Sequence, residues 1–286
     1  MGENNAKSSV FLFYNIFKSP AQLGKFHRHM GGRKLYEKLQ PFFQEHQIKM
    51  GRDALFDLLA SNQLLVKRRK RRISTTQSSH WLRKYPNLIK DFIPSGSNQL
   101  WVSDLTYWKI QSGFVYVSFI TDAWSRKIVG YHVAETLEAL ETLEALKMAL
   151  SRNMGDLSSL IHHSDRGVQY CSSIYVQLLD QHGIQISMTE NGDPYENAIA
   201  ERVNGILKQE YLEDQQVDSI KMASKILDLS VRLYNEERPH MSIGYLTPQV
   251  VHQENIETEK LWKKRVIVQQ STLENYDNND MNSFQD

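Results

Sequence analysis

Leu160-Ile161-His162-His163-Ser164-Asp165-Arg166-Gly167 is the stretch that decides how this chain folds. A short apolar run of strand type closes on a carboxylate, and glycine follows two residues later. Glu201 comes next with 35 residues in between, inside Glu190-Asn-Gly-Asp-Pro-Tyr-Glu-Asn-Ala-Ile-Ala-Glu201-Arg-Val-Asn-Gly205. Upstream, Asp104 lies in the strand-like run Trp101-Val-Ser-Asp-Leu-Thr-Tyr107. One acid alone carries no information in a chain with 33 Asp and Glu. Three carboxylates from separate elements are different, because together they can hold hard divalent cations with positions left open for water and phosphate.

Working outward, the texture from Gln99 onward alternates strand and helix. Leu100–Ile110 and Phe114–Asp122 are rich in aromatic and β-branched residues, and Gln111-Ser112-Gly113 between them signals a hairpin. Strands are expected at 127–133, 160–163 and 184–188, and helices at 136–153, 172–181 and 220–234. Three early strands followed by alternation predict an α/β fold, a mixed sheet with helices on both faces. The Glu201 helix is expected to open at Asp193-Pro194, with Glu196 completing a capping box, and to run to about Tyr211. On it Asn197, Glu201, Asn204 and Lys208 share one face, while Ile199, Val203, Ile206 and Leu207 form the apolar side.

The net charge of +1 conceals an uneven distribution. Residues 1–99 hold 18 Lys or Arg against 6 Asp or Glu, and residues 100–286 hold 16 against 27. The front of the chain is therefore suited to a polyanion. It contains two short helical patterns, Arg33–Glu45 and Arg52–Asn62, around a polar turn with Gly51, which is compatible with a helix-turn-helix. Lys67, Arg68, Arg69, Lys70, Arg71 and Arg72 follow as six consecutive cations. Such a run cannot bury itself, and beside an acidic cutting centre its expected work is phosphate neutralisation. The expected organisation is an arm over 1–30, the helical pair over 31–66, a basic linker over 67–98, a core over 99–252 and an extension over 253–286. One cysteine, Cys171, excludes an internal disulfide and fits a reducing compartment. No run approaches the roughly 18 apolar residues of a membrane span, so a cytoplasmic, nucleoid-associated protein is expected.

Five ordered motifs then resemble a known family. They are Trp101–Tyr107, Thr121-Asp-Ala-Trp-Ser-Arg-Lys-Ile-Val-Gly130, His163-Ser-Asp-Arg-Gly-Val-Gln-Tyr170, the Glu190–Gly205 segment and Tyr234-Asn-Glu-Glu-Arg-Pro-His240. The likeness is to insertion-sequence transposases of the second-reading-frame (OrfB) type, which carry a retroviral-integrase catalytic core, and it spans roughly residues 30–250. It implies a ribonuclease-H-like sheet preceded by a small helical region, and a catalytic and metal-binding set of Asp104, Asp165 and Glu201. It also implies two Mg²⁺ or Mn²⁺ ions as cofactors. The implied partners are double-stranded DNA, both element ends and target, further copies of the chain on that DNA, and a first-frame (OrfA) product or frameshift fusion. The sustained heptads of that first-frame product are absent from residues 1–66.

Around that centre, Arg166, Asn197, Asn204 and Lys208 are candidate DNA contacts alongside Lys67–Arg72. Asp122 reads either as a fourth acid or as structure, and Arg238 and His240 either reach DNA or lock the turn at Pro239. Two other classes compete: a DNA-binding regulator whose core no longer cuts, and a glycoside hydrolase using a carboxylate pair. The complete acidic set speaks against the first, and the basic linker is superfluous to the second.

Overall fold

The computed structural model describes residues 30–66, 80–153, 155, 157–190 and 196–258. The arm, the six-cation run, Asp193-Pro194 and the end of the extension lie outside the described residues. Strands β1 (Leu100–Ile110), β2 (Gly113–Asp122), β3 (Ile128–Ala134), β4 (Ile161–Ser164) and β5 (Gln185–Met188) form one sheet in the order β3-β2-β1-β4-β5. The first three pair antiparallel, while β4 pairs parallel with both β1 and β5. The mixed sheet anticipated from the alternation is thus present. The register makes the long β1 its centre: Val102 lies opposite His163, so Asp104, farther along β1, and Asp165, just past β4, each stand two residues beyond that pair.

Strand alternation assigns the two faces. On one, Trp101, Ile120, Ile186 and Met188 join the apolar sides of α3 (Ala139–Arg152) and α5 (Ser173–Gln181). α3 approaches so closely that a Cβ at Gly130 would meet the Ala145 carbonyl at 2.2 Å. On the other face, Trp108, Val117, Phe119 and Val133 pack against α6 (Ala198–Leu207) and α7 (Ile220–Glu236). A one-turn helix, α4 (Val168–Cys171), links β4 to α5. The front pair, α1 (Gly32–Glu45) and α2 (Arg52–Ser61), has a small core of its own in Leu39, Phe43, Leu55 and Leu59. The chain closes on α8 (Pro248–Glu254), which carries Pro in its first turn.

Two differences from the sequence reading matter. The Glu201 helix starts at Ala198, not near Asp193, because Glu196 and Asn197 spend their side chains elsewhere. Glu196 Oε2 accepts the Glu190 N–H at 2.7 Å, and Asn197 Nδ2 donates to the Ser103 carbonyl at 2.9 Å. At its other end the helix widens into a π-turn, Lys208–Leu212, which periodicity gave no reason to expect. The second difference is one of detail within the expected linker 67–98: residues 80–90 run as a strap beside β5, where the Pro86 carbonyl accepts from Met188 N–H at 3.2 Å and Leu88 N–H donates to Ser187 Oγ at 2.9 Å.

Candidate active site

Asp104, within β1, and Asp165, one residue past the end of β4, lie on the side of the sheet that α6 covers. That helix is tied to β1 at two points one heptad apart: Asn197 Nδ2 holds the Ser103 carbonyl, and Asn204 Nδ2 donates to Asp104 Oδ2 at 2.8 Å. Glu201 stands between those two asparagines on the helix, so the same ties bring it to the acids. Asp104 Oδ1 also accepts the Leu105 N–H at 2.9 Å. Asp165 folds back on its own loop, where Oδ1 accepts from Gly167 N–H at 2.9 Å. A Cβ at Gly167 would sit 3.0 Å from that carboxylate oxygen, a tight contact.

The electrostatics agree with three acids brought together. Desolvation, then repulsion by Asp165 and Glu201, pushes the Asp104 carboxyl up to about 7 against the pull of its two hydrogen bonds. Desolvation also raises Asp165, and desolvation followed by repulsion from Asp165 raises Glu201. Among the described residues none of the three forms an ion pair. A neutral core would not gather acids and leave them without cations, since each uncompensated charge costs stability. Hard oxygen donors that repel one another fit a divalent cation. Even so, among the described residues no three acidic, His or Cys side chains converge closely enough to cage an ion. The donors are grouped while their oxygens remain engaged with Leu105, Asn204 and Gly167.

The remaining candidates separate by environment. Asn197 and Asn204, read as candidate DNA contacts, are each 5% exposed and bonded inward, where they act as struts between helix and sheet. Lys208 Nζ lies 3.7 Å from the Tyr107 ring centroid, two turns from Glu201. Arg166 is half-buried beside Asp165, and its Nε has no hydrogen-bond partner among the described residues. Asp122 is fully buried and clasps the turn after β2, accepting from Asn98 N–H, Ser125 N–H and Ser125 Oγ at 2.7–2.8 Å. Its structural reading therefore prevails. His162 is held neutral by burial, its pKa lowered to about 3, and pairs with Ser103 Oγ at 2.7 Å and the Tyr175 hydroxyl at 3.0 Å.

The motif Tyr234–His240 is a lock. Asn235 bonds both the N–H and the carbonyl of Ile128, capping the start of edge strand β3, and Tyr234 donates to the Arg126 carbonyl at 2.9 Å. His240 Nδ1 accepts from Ser242 N–H at 3.3 Å. Arg238, 1% exposed, grips Glu210 of the π-turn with two bonds, 2.7 and 2.8 Å. Lys34 of α1 reaches the same carboxylate at 2.7 Å. Sequence reading missed Glu210, since a lone acid late in a helix reads as surface. It also missed Tyr170, whose buried hydroxyl has no partner among the described residues and lies in the field of Asp165 and Asp104.

Comparison with known proteins adds an independent finding. Two family descriptions of the integrase core domain match, one over residues 94–194 and the other over 182–248. A 31 kDa protein of insertion element IS600 from Shigella sonnei is 36% identical over 224 residues, covering 77% of this chain and 82% of its own length. The transposase of insertion sequence element IS629, also from Shigella sonnei, is 32% identical over 222 residues, covering 78% and 73% respectively. The simian T-cell lymphotropic virus intasome, at 16% identity, shares the fold with a TM-score of 0.50 over 87% of this chain and 79% of that one.

Proposed function

The chain belongs to the insertion-sequence transposases with an integrase core, and we propose that Asp104, Asp165 and Glu201 cut and rejoin DNA strands within it. The observation that supports this assignment best is the register of β1 on β4, which ends two residues before Asp104 and Asp165, together with the mutual repulsion of these acids and Glu201. Two divalent cations, Mg²⁺ or Mn²⁺, would be held by these three carboxylates and would supply Lewis-acid stabilisation of charge on the phosphate oxygens.

The chain's own residues do the positioning. Asn204 orients Asp104 through Oδ2 and leaves its other lone pairs available. Gly167 N–H fixes the Asp165 carboxylate, and the pair Asn197–Asn204 sets the height of Glu201 above the strands. Three anions at one edge would repel a phosphodiester, so nearby cations must offset them. Lys208 and Arg166 are suited to that, as are Lys67–Arg72 on the linker. In such a site water opens one strand, and the freed 3′-hydroxyl then attacks a phosphate of target DNA. Neither step needs a covalent enzyme intermediate, and no Ser or Tyr nucleophile is assigned. Further copies of the chain on the DNA, and a first-frame product or frameshift fusion, would complete the assembly. The helical pair 31–66 and linker 67–98 would grip DNA for the core over 99–252. Among the described residues no helix is long and apolar enough to cross a membrane.

The test is strand cleavage and joining by Asp104→Asn, Asp165→Asn and Glu201→Gln on a duplex carrying the element's terminal repeats, with Mg²⁺ or Mn²⁺ and with chelator. Each variant should lose both reactions while keeping its circular dichroism and most DNA binding. Near-normal turnover by any one of them removes that residue from the set.

A further inference from the structure

The strap over 80–90 carries the most exposed large apolar side chain among the described residues, Trp81 at 92%. Its neighbours on both sides are fixed. His80 Nε2 lies 2.7 Å from the Arg166 carbonyl, one residue past Asp165. Leu82 and Tyr85 pack against the apolar cluster under β5, and beyond them the strap bonds to Met188 and Ser187. An indole on a loose loop would mean little. Here the backbone on either side is anchored while the ring, which could bury roughly 150–250 Å², is held in water beside the acidic site. Trp101 and Trp108, by contrast, are at most 1% exposed.

The surroundings indicate what the ring is for. Arg83, its guanidinium 4.9 Å from the Tyr85 ring centroid, and Lys84 follow it directly in sequence, and Arg166, whose Nε has no hydrogen-bond partner among the described residues, lies where His80 is tied down. A protein-docking face is apolar at its centre, whereas this ring is followed in sequence by two basic residues and adjoins Arg166 through His80. Aromatic platforms beside cations are how a nucleic-acid strand is held without reading its sequence, because every base presents a π-face. We propose that Trp81 is a stacking platform for the nucleobase next to the phosphate being cut, with Arg166 and Arg83 on the adjoining phosphates. The location rests on the assignment of Asp104, Asp165 and Glu201 as the cutting centre; the stacking does not.

Binding of the full chain to a labelled 20-nucleotide oligothymidylate, and to an abasic oligomer of equal length, is measured by anisotropy in chelator, so that no chemistry intervenes. Trp81→Ala should weaken binding to oligothymidylate about 5- to 150-fold, the span that corresponds to stacking on one base. Trp81→Phe should recover most of that loss, and the abasic oligomer should bind wild type and Trp81→Ala alike. A 2-aminopurine flanking the cut phosphate in an element-end duplex should be quenched by wild type and not by Trp81→Ala. Equal affinity of wild type and Trp81→Ala for oligothymidylate overturns the proposal. So does an equal loss on both oligomers, or a change in the protein's mass without DNA, which would make the ring a contact between copies. Asp104→Asn separates the two assignments: the Trp81 difference should persist in it whether or not cutting survives.

Discussion

Glu201 and Glu210 lie nine residues apart on one continuous helical run and meet opposite environments. Glu210 is drawn inward, gripped by Arg238 through two bonds and by Lys34 through a third. Those cations outweigh its desolvation and hold its carboxyl below the ordinary glutamate range. Glu201 stands exposed near two further acids, and its carboxyl is raised by desolvation and by Asp165. The chain neutralises charge where it fastens α1, the π-turn and the Tyr234–His240 motif together. It leaves charge uncompensated where Asp104, Asp165 and Glu201 gather. A carboxylate held by two cations is a fastener; acids gathered without cations are a candidate site.

The same chemical change at the two positions should therefore split into two phenotypes. Glu201→Gln should lower strand joining by on the order of 10³-fold or more, as loss of a catalytic group does elsewhere, with a melting temperature at or above wild type. Glu210→Gln should do the reverse. It leaves the Arg238 guanidinium buried without its anion, a loss of about 3–5 kcal/mol, or roughly 10 °C in melting temperature for a chain of this size. Replacing both members by Leu and Met should recover much of that. If Glu201→Gln melted early and Glu210→Gln did not, the two glutamates would have to exchange roles.

A smaller effect is expected one residue into the π-turn. Lys208 Nζ over the Tyr107 ring is a surface cation–π contact, worth about 0.5–1 kcal/mol. Lys208→Ala should thus change melting little, yet reduce joining about tenfold by removing a phosphate-directed charge two turns from Glu201. Ile206→Asp, which puts a charge among Val203, Leu207 and the sheet, should unfold the region instead. Early melting of Lys208→Ala with normal joining by the folded fraction would make this lysine part of the fastener.

The extent to which this was legible in sequence follows the same division. The sheet was readable because β1 and β2 announce themselves through aromatic and β-branched residues around Gln111-Ser112-Gly113. The three acids stand out as candidates in the sequence because each sits in its own local motif. What escaped was whatever depends on long-range partners. Asn197 and Asn204 share the Glu201 face, and on a free helix that face looks solvated; only Ser103 and Asp104 on β1 turn them inward. The helix start was misplaced because Asp193, Pro194 and Glu196 spell a good cap, while Glu196 is claimed by Glu190 six residues earlier. Glu210 gave no local signal at all, its partners lying 28 and 176 residues away.

The smallest effect should come from Lys34, the second cation on Glu210. Arg238 alone keeps the carboxylate paired, so Lys34→Met should alter stability at pH 7 far less than Glu210→Gln does. Its signature is in the pH dependence. Burial, and then repulsion by Arg238, lowers the Lys34 pKa from 10.5 to about 8 despite its bond to Glu210. Between about pH 8 and 10.5 the unfolded chain therefore holds this proton and the folded chain does not. Stability from this group rises with pH across that window, and below it the full cost of burying the ammonium is present. Denaturant unfolding of wild type and Lys34→Met at pH 7, 8, 9 and 10 isolates the contribution, since other lysines and tyrosines titrate equally in both proteins. The difference, wild type minus variant, should grow more positive from pH 8 upward. A flat difference would mean that Lys34 stays charged against Glu210, and that α1 is held to the core by an ordinary ion pair.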